Sequence, residues 1–359
     1  METISLPRVK AKGSRYALGH QHGGAFGPQV RALRDACLAH IERFGGITVD
    51  RALQRAESYL HYVREHIPSL AEEVRGIADG AGIRINEAAL LQVRYEVVNL
   101  PTEADGCTIL GVERERSAVA SPLLAQNIDI PASNVPLLVL LHLCPDDGPE
   151  VLTCTVAGIL AQTGINSEGL GLCGSFVVSA NWGFGIPSRN FIRRHILEQP
   201  TIDDAIGVMK RFPRRASGHN VVLTDCSGRV ADIESTPDDF RVLTPTRGLL
   251  AHTNHYRHPD FIPLDALATS PLRDFAESSH QRIARVESLL SSLNERVEIA
   301  DLQTILRDHQ YYPKSVCRHP DGDPSQTQSA CSVAMAPALR HMSVAVGTPC
   351  EHAPVEYYL

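Results

Sequence analysis

The 359 residues, 43% hydrophobic and 21% charged, suffice to bury a substantial core as one large domain or two ordinary ones. A formal net charge of -7 with a pI near 6.1 gives no overall attraction to phosphate backbones or anionic lipid, so neither nucleic acid nor membrane is expected as a partner. Nine cysteines without one C-x-x-C pair fit neither a disulfide framework nor a zinc ribbon, and read as small buried hydrophobes in a reducing compartment.

The opening residues 1–19 carry scattered charges and no apolar h-region, which predicts a cytoplasmic protein. The first third of the chain reads as mainly helical. Leu53, Ala56, Leu60 and Val63 share one helical face, as do Leu70, Val74, Ile77, Ala78 and Ala81 in the next segment. Asn86 is the expected N-cap of a third helix carrying Leu90, Leu91 and Val93, and Pro101 breaks the pattern.

From Cys107 the texture changes to short apolar or alternating runs divided by Gly, Pro, Asn and Asp, which predicts strands over 107–112, 118–125, 137–143, 151–156, 170–178, 221–224, 229–234 and 249–253. The most apolar run, 135–144, is far below the roughly 20 residues of a bilayer-spanning helix and reads as a buried strand. Asp225-Cys226-Ser227-Gly228 suits a hairpin turn. Helices are expected over 188–198, 201–211 (Thr201 with Asp204 resembling a capping box), 277–293 and 299–308, followed by strands over 332–336 and 342–346. Only 321–329 looks like a disordered loop. Strand runs separated by paired helices suggest α+β packing, with two sheets face to face and helices outside.

The sharpest local feature is Asp105-Gly106-Cys107-Thr108, where the helical part ends and the strands begin. Glycine before a nucleophile tolerates strained backbone angles and leaves its carbonyl open to attack. The Cys107 thiolate could attack the Gly106 carbonyl, and water would resolve the thioester into an α-chain of residues 1–106 and a β-chain of 107–359. The α-amino group so created has an ordinary pKa of roughly 7.7–8.0 and can serve as local general base. Taken alone, Gly-Cys is a common dipeptide, and a buried structural cysteine is its ordinary explanation.

The surrounding motifs make the reading specific. Ala17 to Gly23, Glu73 to Gly80, the processing element at 105–108, Gln126-Asn127-Ile128-Asp129, Gly158 with Gly164 to Gly169, His252-Thr253-Asn254-His255 and Ser315-Val316-Cys317-Arg318 occur in order. Together they resemble the isopenicillin N acyltransferase family of N-terminal-nucleophile hydrolases. The resemblance implies a four-layer αββα sandwich, with residues 1–106 as a helical segment and 107–359 as the catalytic region of one domain. It implies that Cys107 is both processing and catalytic nucleophile, that Asn254 donates to the oxyanion, that Asp129 holds the new α-amino group, and that Arg318 orients that carboxylate or the substrate. Ser175 lies where some relatives place a second oxyanion-hole asparagine. Asn166, Glu234 and Ser235 are further candidates near substrate.

Three other patterns compete. Gly169 to Gly174 matches G-x-G-x-x-G, but its context reads as continuing strand rather than a dinucleotide site. His252, His255 and His258 have spacing that would suit a zinc amidase, without an evident fourth partner. Lys210, Arg211, Arg214 and Arg215 form a basic cluster that is either a solvated face or a holder of acyl-coenzyme A phosphates. The resulting expectation is hydrolysis of a small-molecule linear amide with no cofactor and no metal. Acyl-coenzyme A-dependent transfer is the alternative, and a catalytically retired binding protein is a third reading. The expected protein partners are the chain's own cleaved N-terminal segment and a second copy of itself.

Overall fold

The computed structural model describes residues 1–99, 106–269, 273–293, 295–320 and 327–359. Two strands open the chain, β1 (Glu2–Thr3) and β2 (Arg8–Gly13). In β2 Arg8, Lys10 and Lys12 are exposed while Ala11 is buried, an alternation that puts charge on a sheet edge and blunts it. The N-terminal segment is therefore not purely helical. Five helices follow: α1 (Arg15–Ala25), α2 (Gly27–Phe44), α3 (Val49–His66), α4 (Pro68–Ala81) and α5 (Ile85–Val93). The stripes expected on α3 and α4 are buried. The start of α5 is secured by Glu87, which accepts from the Arg84 N–H at 2.8 Å, rather than by Asn86.

Glycine sets how α1 meets α4. A Cβ at Gly76 would stand 2.1 Å from the Tyr16 carbonyl oxygen, one at Gly80 2.2 Å from that of His20, and one at Gly19 1.9 Å from that of Glu73. Only hydrogen fits in those gaps, so two of the sequence motifs are the two sides of one backbone-to-backbone helix crossing.

The strands then run β3 (Gly106–Val112), β4 (Leu123–Pro131), β5 (Leu138–Pro145), β6 (Val151–Val156), β7 (Thr163–Asn166) and β8 (Gly171–Ser175). After α6 (Arg193–Ile196) and α7 (Ile202–Arg211) come β9 (His219–Thr224), β10 (Val230–Ser235), β11 (Phe240–Leu243) and β12 (Leu249–His252). The helices α8 (Arg273–Ser291) and α9 (Ile299–Leu306) precede β13 (Thr327–Ala336), β14 (His341–Val346), β15 (His352–Ala353) and β16 (Val355–Tyr358). One sheet has the order β11-β10-β9-β8-β7-β6-β5-β2, and a second β12-β3-β4-β13-β14-β16.

Side-chain alternation sorts the layers. Ile109, Leu124 and Ile128 join Cys173 and Val222 in the core between the sheets. Their neighbours Leu110, Leu123 and Ala125 face the other way, onto Ile283, Val286 and Leu290 of α8 and Leu302 and Ile305 of α9. On the opposite side α1 lies against β2 and β5. The result is an αββα sandwich, as expected.

Several boundaries differ from expectation. The strand expected over 118–125 occupies 123–131, because residues 114–116 form a 3-10 turn and Ser117 bridges to Val297. The one expected over 170–178 ends at Ser175, and the helix expected over 188–198 opens with a π-helical turn and ends at Ile196. Thr327, Gln328 and Ser329, expected in a loop, belong to β13 and pair with β4. Residues 321–326, Pro101 and Asp105 lie outside the described residues. Among the described residues no helix is long and apolar enough to cross a membrane.

Candidate active site

Cys107 is the second residue of β3, a central strand, and its side chain lies on the face turned to the eight-stranded sheet. There its Sγ donates to the Gly174 carbonyl of β8 at 3.7 Å. That carbonyl also accepts from Gln126 Nε2 at 2.9 Å, and Gln126 in turn accepts from Thr163 Oγ1 at 2.6 Å. The cysteine is 4% exposed. Its neighbour on β3, Gly106, pairs in register with Asp129 of β4.

Asn254 follows β12, the strand on the other side of β3, and its Oδ1 accepts from the Cys107 main-chain N–H at 3.1 Å. The orientation of this amide is fixed by a residue that the motifs did not reveal. Arg282 of α8 donates from Nη2 to Asn254 Oδ1 at 2.7 Å, from Nη1 to the Cys107 carbonyl at 2.5 Å and to Thr108 Oγ1 at 2.9 Å, and from Nε to Ser278 Oγ at 3.2 Å. A guanidinium can only donate, so the oxygen of Asn254 must face it. The amide nitrogen of Asn254 then donates to the Phe176 carbonyl at 3.1 Å, and its main-chain N–H is held by Ser279 Oγ at 2.9 Å. Arg282 is fully buried. Its signal in the sequence is a charged residue bordering the apolar stripe of Ile283, Val286 and Leu290 and standing at helical spacing from Phe275, Ser278 and Ser279.

Asp129 is equally buried. Its Oδ1 accepts from Ser329 Oγ at 2.7 Å. Among the described residues its Oδ2 has no hydrogen-bond partner, and it lies 3.0 Å from where a Cβ on Gly106 would sit, with Phe275 crowding the same point from 2.6 Å. Burial pushes the Asp129 carboxyl upward, against the charges of Arg282 and Arg318 and the Ser329 hydroxyl. Arg318 stacks its guanidinium over Phe275 at 4.3 Å and donates to the Thr327 carbonyl at 3.2 Å and to Ser278 Oγ at 3.3 Å. Burial lowers its pKa to about 10, which leaves it cationic at neutral pH. Cys107, Asp129, Asn254 and Arg318 thus fall into one buried network, completed by Arg282, Ser279 and Ser329.

The remaining candidates sit elsewhere in the hydrogen-bonding scheme. Ser175 Oγ donates to Asn220 Oδ1 at 3.0 Å and lies 3.1 Å from His252 Nδ1, so its hydroxyl is engaged behind the site. Asn166 does not join the network. Its amide nitrogen holds the Leu197 and Gln199 carbonyls at 3.0 and 2.8 Å, and its oxygen accepts from the Glu168 and Leu170 N–H groups, an arrangement that shapes a turn. Glu234 is paired with His252 at 3.0 Å and accepts from the main chain of Arg257 and His258. Ser235 donates to the His219 carbonyl at 3.1 Å.

The competing patterns resolve structurally. His252 goes to Glu234, His255 to Ser279 Oγ at 2.7 Å, and His258 accepts from the Asp260 N–H, so the three imidazoles do not converge. Gly171 to Ser175 is strand, and a Cβ at Gly174 would strike Arg193 Nε at 2.3 Å, so this glycine serves close packing. The basic cluster is divided: Arg215 is buried and donates to the carbonyls of Thr236 and Phe212, while Lys210, Arg211 and Arg214 are exposed.

Residues 116–351 match the acyl-coenzyme A:6-aminopenicillanic acid acyl-transferase family. The chain is 24% identical over 346 residues to the acyl-coenzyme A:6-aminopenicillanic-acid-acyltransferase 40 kDa form of Emericella nidulans, covering 95% of this chain and 92% of that one. Similar solved structures include a conjugated bile acid hydrolase from Clostridium perfringens, with TM-score 0.45 and 13% identity over 70% of this chain and 97% of that one. Penicillin V acylase from Agrobacterium tumefaciens gives TM-score 0.45 and 11% identity over 70% and 86%. With the family match spanning well over half of its length, the chain belongs to the acyl-coenzyme A:6-aminopenicillanic acid acyl-transferase family of enzymes.

Proposed function

We propose that the chain cuts itself between Gly106 and Cys107 and then hydrolyses the linear amide of a small N-acyl compound through a Cys107 thioester. The observation that carries this reading is the Cys107 nitrogen, held 3.1 Å from Asn254 Oδ1, with Asp129 Oδ2, a buried acceptor without a partner among the described residues, beside Gly106. In maturation Sγ bonds to the Gly106 carbonyl carbon, the Gly106–Cys107 C–N bond breaks, and the nitrogen takes the thiol proton. Water then cleaves the thioester, leaving a Gly106 carboxylate and a Cys107 α-amine. Asn254 Oδ1 is already an acceptor for that amine, and Asp129 Oδ2 is a buried acceptor that none of the described residues donates to.

In turnover the α-amine takes the proton from Sγ as the sulfur attacks the substrate carbonyl, then returns it to the departing amine. The second N–H of Asn254 Nδ2 is the oxyanion donor, a type of contact worth about 10²–10³ in rate. Arg282 and Arg318 do not touch the reacting atoms in this scheme; they position Asn254 and Asp129. The 1–106 segment stays bound after cleavage, because β2 pairs with β5 and α1 lies against the same sheet.

Acyl-coenzyme A-dependent transfer would pass through the same thioester. Hydrolysis leads because the burial of Arg215 withdraws one cation from the cluster that phosphates would need. The test is to incubate purified protein with p-nitroanilides of short aliphatic and aryl acids, quench in acid and weigh the fragment containing Cys107. An acyl increment on that fragment, discharged by water without added amine, is expected. Turnover without any acylated Cys107 would refute the thioester route.

A further inference from the structure

Four side chains with metal-binding atoms meet beside the loop that carries Arg318. His309 is exposed, Cys317 buried, and His319 and Cys350 half-buried, and one ligand atom from each lies within 4.8 Å of all the others. Their arrangement is centred rather than chain-like. His319 Nε2 lies 3.1 Å from His309 Nε2, 3.6 Å from Cys317 Sγ and 3.3 Å from Cys350 Sγ. One imidazole nitrogen offers a single proton or a single lone pair, so it cannot satisfy three such partners by hydrogen bonding.

A shared cation removes the conflict. Zinc bonds of about 2.3 Å to sulfur and about 2.0–2.1 Å to nitrogen, at tetrahedral angles, give edges of about 3.3 Å between two nitrogens and about 3.6 Å between nitrogen and sulfur. The three measured edges fall within about 0.3 Å of those values.

We infer that His309, Cys317, His319 and Cys350 bind one structural zinc ion. Binding exchanges the two Sγ–H protons, released to solvent, for two Zn–S bonds, and two thiolates with two neutral imidazoles balance the divalent charge. A soft, four-coordinate S₂N₂ set selects zinc over magnesium or calcium. All four positions are filled by protein, so the ion braces the fold and does not activate water.

The placement gives the brace a role. Cys317 and His319 flank Arg318, and Cys350 lies in the turn after β14, which Arg307 already ties through the Pro349 carbonyl at 2.9 Å. Zinc would fasten the 309–319 loop to the C-terminal turn from both sides of Arg318. The inference does not depend on the proposed reaction.

The test uses full-length protein without a histidine tag, equilibrated with zinc, dialysed into zinc-free buffer and measured by inductively coupled plasma mass spectrometry. Wild type is expected to retain about one zinc per chain, since four protein ligands close one site. His309→Ala and Cys350→Ser are expected to lose it, while Cys226→Ser, an exposed cysteine outside the cluster, keeps it. A strong chelator should lower the Tm of wild type and leave that of Cys350→Ser unmoved. Wild type that retains no zinc, or peptide mapping that finds a Cys317–Cys350 disulfide in the purified protein, would overturn the assignment; the wild-type measurement decides even where a variant folds poorly.

Discussion

Replacing Arg282 by methionine keeps an unbranched side chain in place while deleting a fully buried guanidinium. The comparison is made in the Cys107→Ala background, so that both proteins are uncut. Two acceptors depend most on Arg282: the residue-107 carbonyl and Asn254 Oδ1, reached at 2.5 and 2.7 Å. Hydrogen bonds to a charged group contribute about 1.5–3 kcal/mol each, so the pair accounts for about 3–6 kcal/mol, although Asn254 Oδ1 keeps the residue-107 N–H as a second donor. Asp129 also loses one of the two cations that counter its burial, and breaking a buried charge arrangement costs about 3–5 kcal/mol. These estimates overlap rather than add, and the expected loss is about 4 kcal/mol. Urea unfolding at neutral pH, followed by circular dichroism, should show a lower midpoint at unchanged slope. Arg282→Lys, which keeps the charge but reaches fewer acceptors, should recover part of the loss. A loss for Arg282→Met below about 1 kcal/mol would refute the claim that this guanidinium organises the site.

Acid should weaken the fold through His22. Its Nε2 accepts from the Gly158 N–H at 3.0 Å, and burial lowers its pKa from 6.5 to about 4, so the folded state requires the neutral ring. The stabilisation is whole above pH 6.5 and is lost as pH falls through about 4, a total of about 3 kcal/mol that His22→Gln should abolish in urea titrations across that range. The α1–α4 crossing makes a sign prediction. Gly76→Ala should destabilise by about 1–3 kcal/mol or more through overpacking, although alanine is the better helix former. Gly207→Ala on α7, where a Cβ meets nothing within 4 Å, should stabilise by about 0.5–1 kcal/mol, and equal thermal shifts for the two would contradict the crossing.

The layered fold was legible because most strands of the two sheets are apolar on both faces or alternate, and α3, α4, α7, α8 and α9 carry clear stripes. What escaped was structure made by charge or by distance. Strand β2 carries Arg8, Lys10 and Lys12 on its exposed edge and so lacks the apolar run that marks its neighbours. Ser329 ends a polar stretch that reads as loop, although its hydroxyl holds Asp129. The ordered motifs pointed to Cys107, Asp129, Asn254 and Arg318, but motif order cannot show that Asn254 turns its oxygen, not its nitrogen, toward the Cys107 nitrogen; that follows from Arg282, on a helix with no quoted motif. The same limit applies to Asn166, whose motif proves to encode a turn. His319 and Cys350 are 31 residues apart, too far for any spacing rule to join them.

The claim on which the rest depends is that Cys107 becomes a chain terminus, and intact mass spectrometry of the purified protein beside Cys107→Ala tests it most directly. Wild type should give two chains, residues 1–106 and 107–359, the second beginning with an unblocked cysteine, while Cys107→Ala remains one chain of 39.2 kDa apart from the substitution itself. A wild-type chain that stays whole and still turns over amides would contradict the account.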